Sequence, residues 1–332
     1  MTQQSKRLFD IYQDYFLIGA AINNRTIDSA KQLIVNHFNS ITAENEMKPE
    51  HLQPEEGTFT FETADKFISF AEEHNKAVRG HTLVWHNQTP DWMFQAPDGS
   101  VASKELLLER LKNHISAVAG RYKGRIHSWD VVNEVIDDSD ERFLRKSKWL
   151  DIAGEEFIEK AFRFAHEADP NALLIYNDYN ESQPEKRDKI YQLVKSLLER
   201  EVPIHGVGMQ AHWNLTSPTI DEIRAAIEKY ASLGLQIQLT EFDFSVFNFE
   251  DKRTDLKAPT AEMVALQEKR YEESFSLLRE YKDVISSVTF WGVADDYTWL
   301  DDFPVRGRKN WPFVFDVNQQ PKQAFERITS FK

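Results

Sequence analysis

The strongest constraint on the fold of this chain is a rhythm. Short apolar, β-branched runs recur eight times, at Leu17–Ile22, Ser40–Ala43, Ala77–Val84, Ile126–Val132, Ala172–Tyr176, Gly206–Gln210, Gln236–Thr240 and Ser287–Trp291. The longer stretches between them carry helical spacing. Leu107, Leu111, Ile115 and Val118 fall on one helical face. Thr219 and Glu222 fit a capping box opening a helix through Tyr230, with Gly234 placed as its C-cap. Lys322–Ile328 can supply a helix after the last run. Strands separated by helical crossovers must lie parallel. Eight such units suit a single closed (β/α)8 TIM barrel, an α/β fold. An open, doubly wound sheet is the alternative, weakened because no G-x-G-x-x-G follows the first run.

The 332 residues suffice for one large domain or two ordinary ones. No Pro/Gly/Ser-rich linker divides them, so 1–332 reads as one barrel domain. The nearest candidate boundary, Phe247 to Pro259, is charged and long for a plain connection. It reads instead as a surface loop over a functional face. No cysteine is present, which excludes disulfides, a thiol nucleophile and Cys-ligated metal. The formal charge of −14 argues against a nucleic-acid partner and against adhesion to anionic membranes. No run of roughly 18 apolar residues is available to span a bilayer. The N-terminal Met1 to Asp10 lacks the apolar stretch of a secretion signal, from which a cytoplasmic location is expected.

In barrels of this kind the active site gathers at the C-terminal ends of the strands. Those ends carry Glu44-Asn45-Glu46-Met47-Lys48, His81 through Trp85-His86, Trp129-Asp130 through Asn133-Glu134, Tyr176-Asn177-Asp178, Gln210-Ala211-His212-Trp213, Thr240-Glu241-Phe242-Asp243 and Trp291 through Asp295-Asp296. Trp299 and Trp311 follow closely. Flat aromatic faces beside carboxylates and amides suit a pyranose, whose C–H faces stack and whose hydroxyls bond.

Glu134 and Glu241 end strands four and seven, where they can face one another across the mouth. Glycoside hydrolysis needs such a pair: one carboxylic acid protonates the leaving oxygen, and the other carboxylate attacks or activates water. Singly, each residue has a plainer reading. A lone strand-end glutamate is more often a surface carboxylate. His81, His86, His205 and His212 are each more often satisfied core or loop histidines, and Trp149, in a helical segment, reads as core. A metal-dependent barrel hydrolase is a rival, but no H-E-x-x-H and no His-x-His at the first strand end supports it. A non-catalytic sugar-binding barrel would not need both glutamates.

Six segments in one order carry a family resemblance. They are Thr42 to Lys48, Gly80 to His86, Trp129 to Glu134, Gly208 to His212, Thr240 to Asp243 and Phe290 to Asp295. From about residue 8 to 330 the chain resembles glycoside hydrolase family 10, the retaining endo-β-1,4-xylanases. The resemblance implies a xylan or xylo-oligosaccharide substrate and no metal or organic cofactor. It implies Glu134 as general acid/base and Glu241 as nucleophile. Asn133 would bond the sugar 2-hydroxyl, and His212 would sit between Glu241 and Asp243. Gln210 and His81 match residues at the cleavage point, and Glu44, Asn45 and Lys48 match the next sugar site on the non-reducing side. Trp85, Trp291 and Trp299 match aromatic walls, and Tyr176 a leaving-group-side platform. Leu239 and Phe242 stand where the family usually has Ile and Leu, an apolar change around an unchanged polar frame. The charged loop Asn248–Pro259 is placed to shape the leaving-group side.

Overall fold

A computed structural model describes residues 7–331. The strands are β1 (Leu17–Ile22), β2 (Ser40–Ala43), β3 (Ala77–Val84), β4 (Ser128–Asn133), β5 (Leu173–Asp178), β6 (Gly206–Met209), β7 (His212–Asn214), β8 (Gln236–Ser245) and β9 (Ile285–Phe290). All pairings among them are parallel. β1 pairs with both β2 and β9, and β6 pairs with β8, so the sheet closes on itself. Closure removes the edges that an open doubly wound sheet would keep.

Nine strands make eight staves. β6 ends at Met209 and β7 begins at His212, paired with the upper part of β8 at His212↔Asp243. Between them Ala211 takes φ 59°. The ladder nevertheless carries on, because Glu241 donates to the Gln210 carbonyl and Asp243 to that of Ala211. The break is local, and it re-aims Gln210 and His212 toward the mouth.

Helices return the chain from each stave: Lys31–His37, Glu62–Glu73, Lys104–Arg121, Glu156–Ala168, Pro184–Glu199, Ile220–Ala231, Ala261–Glu280 and Gln323–Thr329. Leu107, Leu111, Ile115 and Val118 are all buried, as the helical spacing predicts. Thr219 and Glu222 form the reciprocal capping box. Gly234, expected as the C-cap, lies two residues past the cap Ser232, in a turn at φ 75°.

The barrel interior is charged as well as apolar. Arg79, fully buried, donates to Asp130 (Nη2–Oδ1 2.5 Å) and to Gln238 (Nε–Oε1 2.7 Å). Outside the sheet, Trp129 lies across Gly80, where an added Cβ would come within 2.2 Å of the indole. Only glycine leaves the room that ring needs.

Candidate active site

The strand ends open into one cleft of about 1260 Å³, which reaches from Glu44 and Lys48 to Asn214 and Ser217. Strand periodicity decides what enters it, since successive side chains point to opposite faces. On β8, Glu241 and Asp243 turn to the mouth. Phe242 and Phe244 turn outward onto Tyr271, with Phe242 also meeting Phe275, on the helix behind. The register shifts between β8 and β9 in the Leu239 to Phe242 interval that contains Glu241. Irregularities of this kind redirect side chains beside active sites.

Glu241 is 6 % exposed and well supplied with donors. His212 Nε2 lies 2.9 Å from its Oε2, and Asn177 Nδ2 donates to its Oε1 at 3.0 Å. His81 Nε2 stands 3.9 Å from the same Oε1. Burial pushes the Glu241 carboxyl up, but the His212 bond and the charges of His81 and His212 overturn that and hold it below the usual carboxylate range. The histidine answers in kind. Burial lowers its proton affinity, yet Asp243 and Glu241 together raise it to about 10. The ring is therefore an imidazolium at neutral pH and donates from both nitrogens, with Nδ1 3.0 Å from Asp243 Oδ2. Trp299 Nε1 donates to that same Oδ2 at 2.9 Å.

Glu134 is held differently. It sits one residue beyond β4 with φ 59°, a left-handed conformation costly for a side chain of this size. Its Oε1 accepts from Gln210 Nε2 at 2.9 Å and its Oε2 from Trp85 Nε1 at 2.8 Å. Its carbonyl accepts from Arg145 Nε at 2.9 Å. Burial raises its pKa, and the negative charges of Asp178 and Glu241 add to the rise.

Three amides join the two halves. Asn177 Nδ2 donates to Asn133 Oδ1 (2.9 Å) as well as to Glu241, while Gln210 Nε2 reaches Asn133 Oδ1 (3.2 Å) as well as Glu134. Asn177 Oδ1 is fixed by the Thr240 hydroxyl at 2.6 Å. A Cβ at position 208 would fall 2.3 Å from that Oδ1, so Gly208 makes room for the crossbar.

Below the pair, His81 Nδ1 is 2.9 Å from Asp130 Oδ2, and Asp130 is paired in turn with Arg79. Burial pushes the Asp130 carboxyl up, but Arg79 and His81 bring it below its ordinary value. Trp291 packs edge-on against His81. At the far end, Lys48 Nζ donates to Asn45 Oδ1 (2.9 Å) and Gln88 Oε1 (3.0 Å), with Trp85 below it at 4.9 Å. Burial lowers the Lys48 pKa despite the surrounding carboxylates, and it raises that of Glu44, which accepts from Asn23 at 2.7 Å.

All the site residues named from the sequence gather at this cleft except Tyr176. Tyr176 is 0 % exposed and offers no ring face to a sugar. Its neighbour Asn177 points into the barrel, so Tyr176 must point out, under the helices. There its hydroxyl meets Asp178 and accepts from the Val135 amide at 3.2 Å. Tyr179, three residues on, lines the cleft instead. The sequence reading also assigned no part to Asn177, Arg145, Asn23 or Gln88. Asn177 stood in the strand-five segment, where strand alternation alone marks it as inward if Tyr176 is core. Trp149 is core, as expected, and its Nε1 holds the Trp85 carbonyl at 3.1 Å. His205 serves the fold by accepting from the Leu174 amide. Burial and the charges of Arg145 and Lys186 lower the His86 pKa to about 4. Among the described residues no group of three His, Asp or Glu side chains is placed to hold a metal ion, and no helix is long and apolar enough to cross a membrane.

Two carboxyls of opposite proton affinity, bridged by amides and walled by indoles at a barrel mouth, define a glycoside hydrolase. The model of glycosyl hydrolase family 10 matches residues 7–331, and the chain belongs to that family. It is 58 % identical to the endo-1,4-beta-xylanase B of Paenibacillus barcinonensis over 328 residues, 99 % of each protein. It is also 58 % identical over 323 residues to an endo-1,4-beta-xylanase of Geobacillus stearothermophilus, covering 97 % of this chain and 98 % of that one. The structure superposes with a TM-score of 0.97 on xylanase XynB from Paenibacillus barcinonensis complexed with a conduramine derivative, at 57 % identity and 99 % coverage of both chains.

Proposed function

We propose that the chain is a retaining endo-β-1,4-xylanase in which Glu241 is the nucleophile and Glu134 the general acid/base. The observation that carries the assignment is that the surroundings of the two carboxyls, within one bridged site, shift their proton affinities in opposite directions. Glu241, whose pKa the His212 bond lowers, attacks the anomeric carbon while Glu134, whose pKa burial raises, gives its proton to the departing glycosidic oxygen. Forming the glycosyl-enzyme removes the Glu241 charge, and with it one of the causes that raise the pKa of Glu134. Glu134 then takes a proton from the water that attacks the intermediate, and Glu241 is released.

Asn133 spends its carbonyl oxygen on Asn177 and Gln210, which leaves its NH2 for the sugar 2-hydroxyl. A bond that tightens in the transition state lowers the barrier. Glu44, Asn45 and Lys48 take the next sugar on the non-reducing side, with Trp85, Trp291 and Trp299 as walls. The length of the cleft across the mouth favours binding within a chain. A xylan-derived substrate agrees with the relatives named above.

The test is product analysis on xylo-oligosaccharides of increasing length, with the anomer formed first read by proton NMR. Internal cleavage giving the β-anomer is expected. First-formed α-anomer, or no turnover, overturns the proposal. A cytoplasmic location is proposed with it, and recovery of the protein from culture medium would overturn that part.

A further inference from the structure

One buried ion pair stands behind the cleft and has no part in the mechanism described so far. Asp178 ends β5 and is fully buried. β5 runs beside β4 with Asn177 opposite Asn133, so Asp178 lies one stave from Glu134. Its side chain turns to the outer face of the barrel with that of Tyr176, two residues earlier. There it accepts from the Tyr176 hydroxyl, from the Tyr179 amide at 2.9 Å and from Lys186 Nζ at 2.9 Å. Lys186, on the helix Pro184–Glu199, is buried too. It also donates to Asp138 Oδ1 at 2.7 Å and lies 3.6 Å over the Tyr179 ring.

This cluster grips the backbone of Glu134. The Tyr176 hydroxyl that meets Asp178 accepts from the amide of Val135, the residue after Glu134. The Glu134 amide donates to the Asn177 carbonyl at 2.9 Å, and its carbonyl accepts from Arg145. The left-handed turn at Glu134 is therefore bonded at its own two backbone groups and at the next amide. The Gln210 amide donates to the Asp178 carbonyl at 3.0 Å, so the residue that bonds the Glu134 carboxyl hangs from the same strand end.

The charges are as telling as the bonds. Burial lowers the Lys186 pKa, but Asp178, Tyr179 and Asp138 overturn that and raise it, so the pair is ionised. A buried ion pair is a weak stabiliser of a fold once desolvation is counted. Its field, however, reaches the cleft. Burial is the largest cause of the raised Glu134 pKa, and among negative charges Asp178 comes ahead of Glu241. Lys48 after β2, Arg145 in the loop after β4 and Glu241 on β8 also face Glu134, while His86 after β3 is uncharged above about 4. His212 on β7 is turned to Glu241. Of the two carboxylates, Glu241 loses its charge in the glycosyl-enzyme and Asp178 does not.

We propose that Asp178 is a positioning residue for Glu134: through the Tyr176 hydroxyl it fixes the turn that aims Glu134 into the cleft, and its carboxylate, tempered by Lys186, is a standing negative charge that favours the protonated form. The proposal rests on the functional reading above and deepens it.

The test is the pH profile of kcat/KM on xylohexaose, whose alkaline limb reports loss of the Glu134 proton in the free enzyme. Asp178→Asn removes the negative charge and should move that limb down by about half a pH unit or more. Lys186→Met removes the opposing positive charge and should move it up. A merely structural role gives no reason for opposite shifts. On 2,4-dinitrophenyl β-xylobioside, whose departure needs no proton, neither variant should move the limb. Shifts in the same direction, no shift in either variant, or the same shifts on both substrates overturn the role of Asp178 and leave the xylanase reading intact. Should only one variant fold, the direction of its shift decides alone. A wild type inactive on xylohexaose overturns the xylanase reading and this role together.

Discussion

Glu134 and Glu241 are the same residue type at the ends of two strands of one barrel, yet their surroundings pull their protons in opposite directions. Glu241 lies within β8 and meets an imidazolium and an amide, with a second imidazole nearby. Glu134 lies just past β4, in a strained conformation, and meets an indole, an amide and the field of two carboxylates. Burial raises both. What separates them is the sign of the nearest charge, positive at His212 and negative at Asp178 and Glu241. A fold supplies two chemistries from one side chain by choosing its neighbours.

Removing each carboxyl tests that contrast most directly. Glu241→Gln should lose about 10⁴-fold or more in kcat on every substrate, because no nucleophile remains. Glu134→Gln should lose roughly 10²- to 10⁴-fold on xylo-oligosaccharides. On a dinitrophenyl glycoside, whose departure needs no proton, the first step should be far less impaired and the glycosyl-enzyme should accumulate, visible as a burst. Identical profiles for the two variants would erase the distinction.

His212→Asn probes the positive side. Loss of a charged hydrogen bond to Glu241 should cost about 10- to 100-fold in kcat, and the acid limb of the pH–rate profile should move upward as Glu241 regains protons. Stability changes too. The folded pKa of His212 is about 10 against an ordinary 6.5, so its stabilisation is complete below 6.5 and lost as pH rises through 10. Scanning calorimetry across that window should show Tm falling in the wild type and a flatter curve in His212→Asn. A parallel fall in both would contradict the imidazolium assignment.

The smallest effect belongs to the backbone of Glu134. Arg145→Met frees its carbonyl and should reduce kcat about 3- to 10-fold on xylo-oligosaccharides, with little change on the dinitrophenyl glycoside. Equal losses on both would show that Arg145 acts on something other than proton delivery.

The barrel is legible in the sequence because short apolar runs separated by helically spaced stretches are local signals, whereas the proposed catalytic pair becomes legible only through the six segments that carry the family resemblance. β1, β2 and β3 fall on the residues the pattern gave. β8 runs on to Ser245, beyond the expected Thr240, because Glu241 and Asp243 break the apolar run while still alternating with Phe242 and Phe244. β7 is not legible in the sequence because three residues after a break carry too little pattern. The family resemblance implies a leaving-group-side platform at Tyr176, but strand alternation buries this ring away from the cleft. Arg145 and Asn177 act through contacts 11 and 64 residues away in sequence, to Glu134 and Glu241, which no local pattern encodes.

The Asn177 crossbar has a consequence for redesign. A chain whose Glu241 is cut back to glycine would keep the Asn177 amide and the His212 imidazole aimed at a vacated carboxylate-sized hole. Two convergent N–H donors around such a void make an anion receptor. Formate or the fluoride of an activated sugar donor fits that chemistry, so the hydrolase carries within it the seat for a variant that joins sugars rather than parting them.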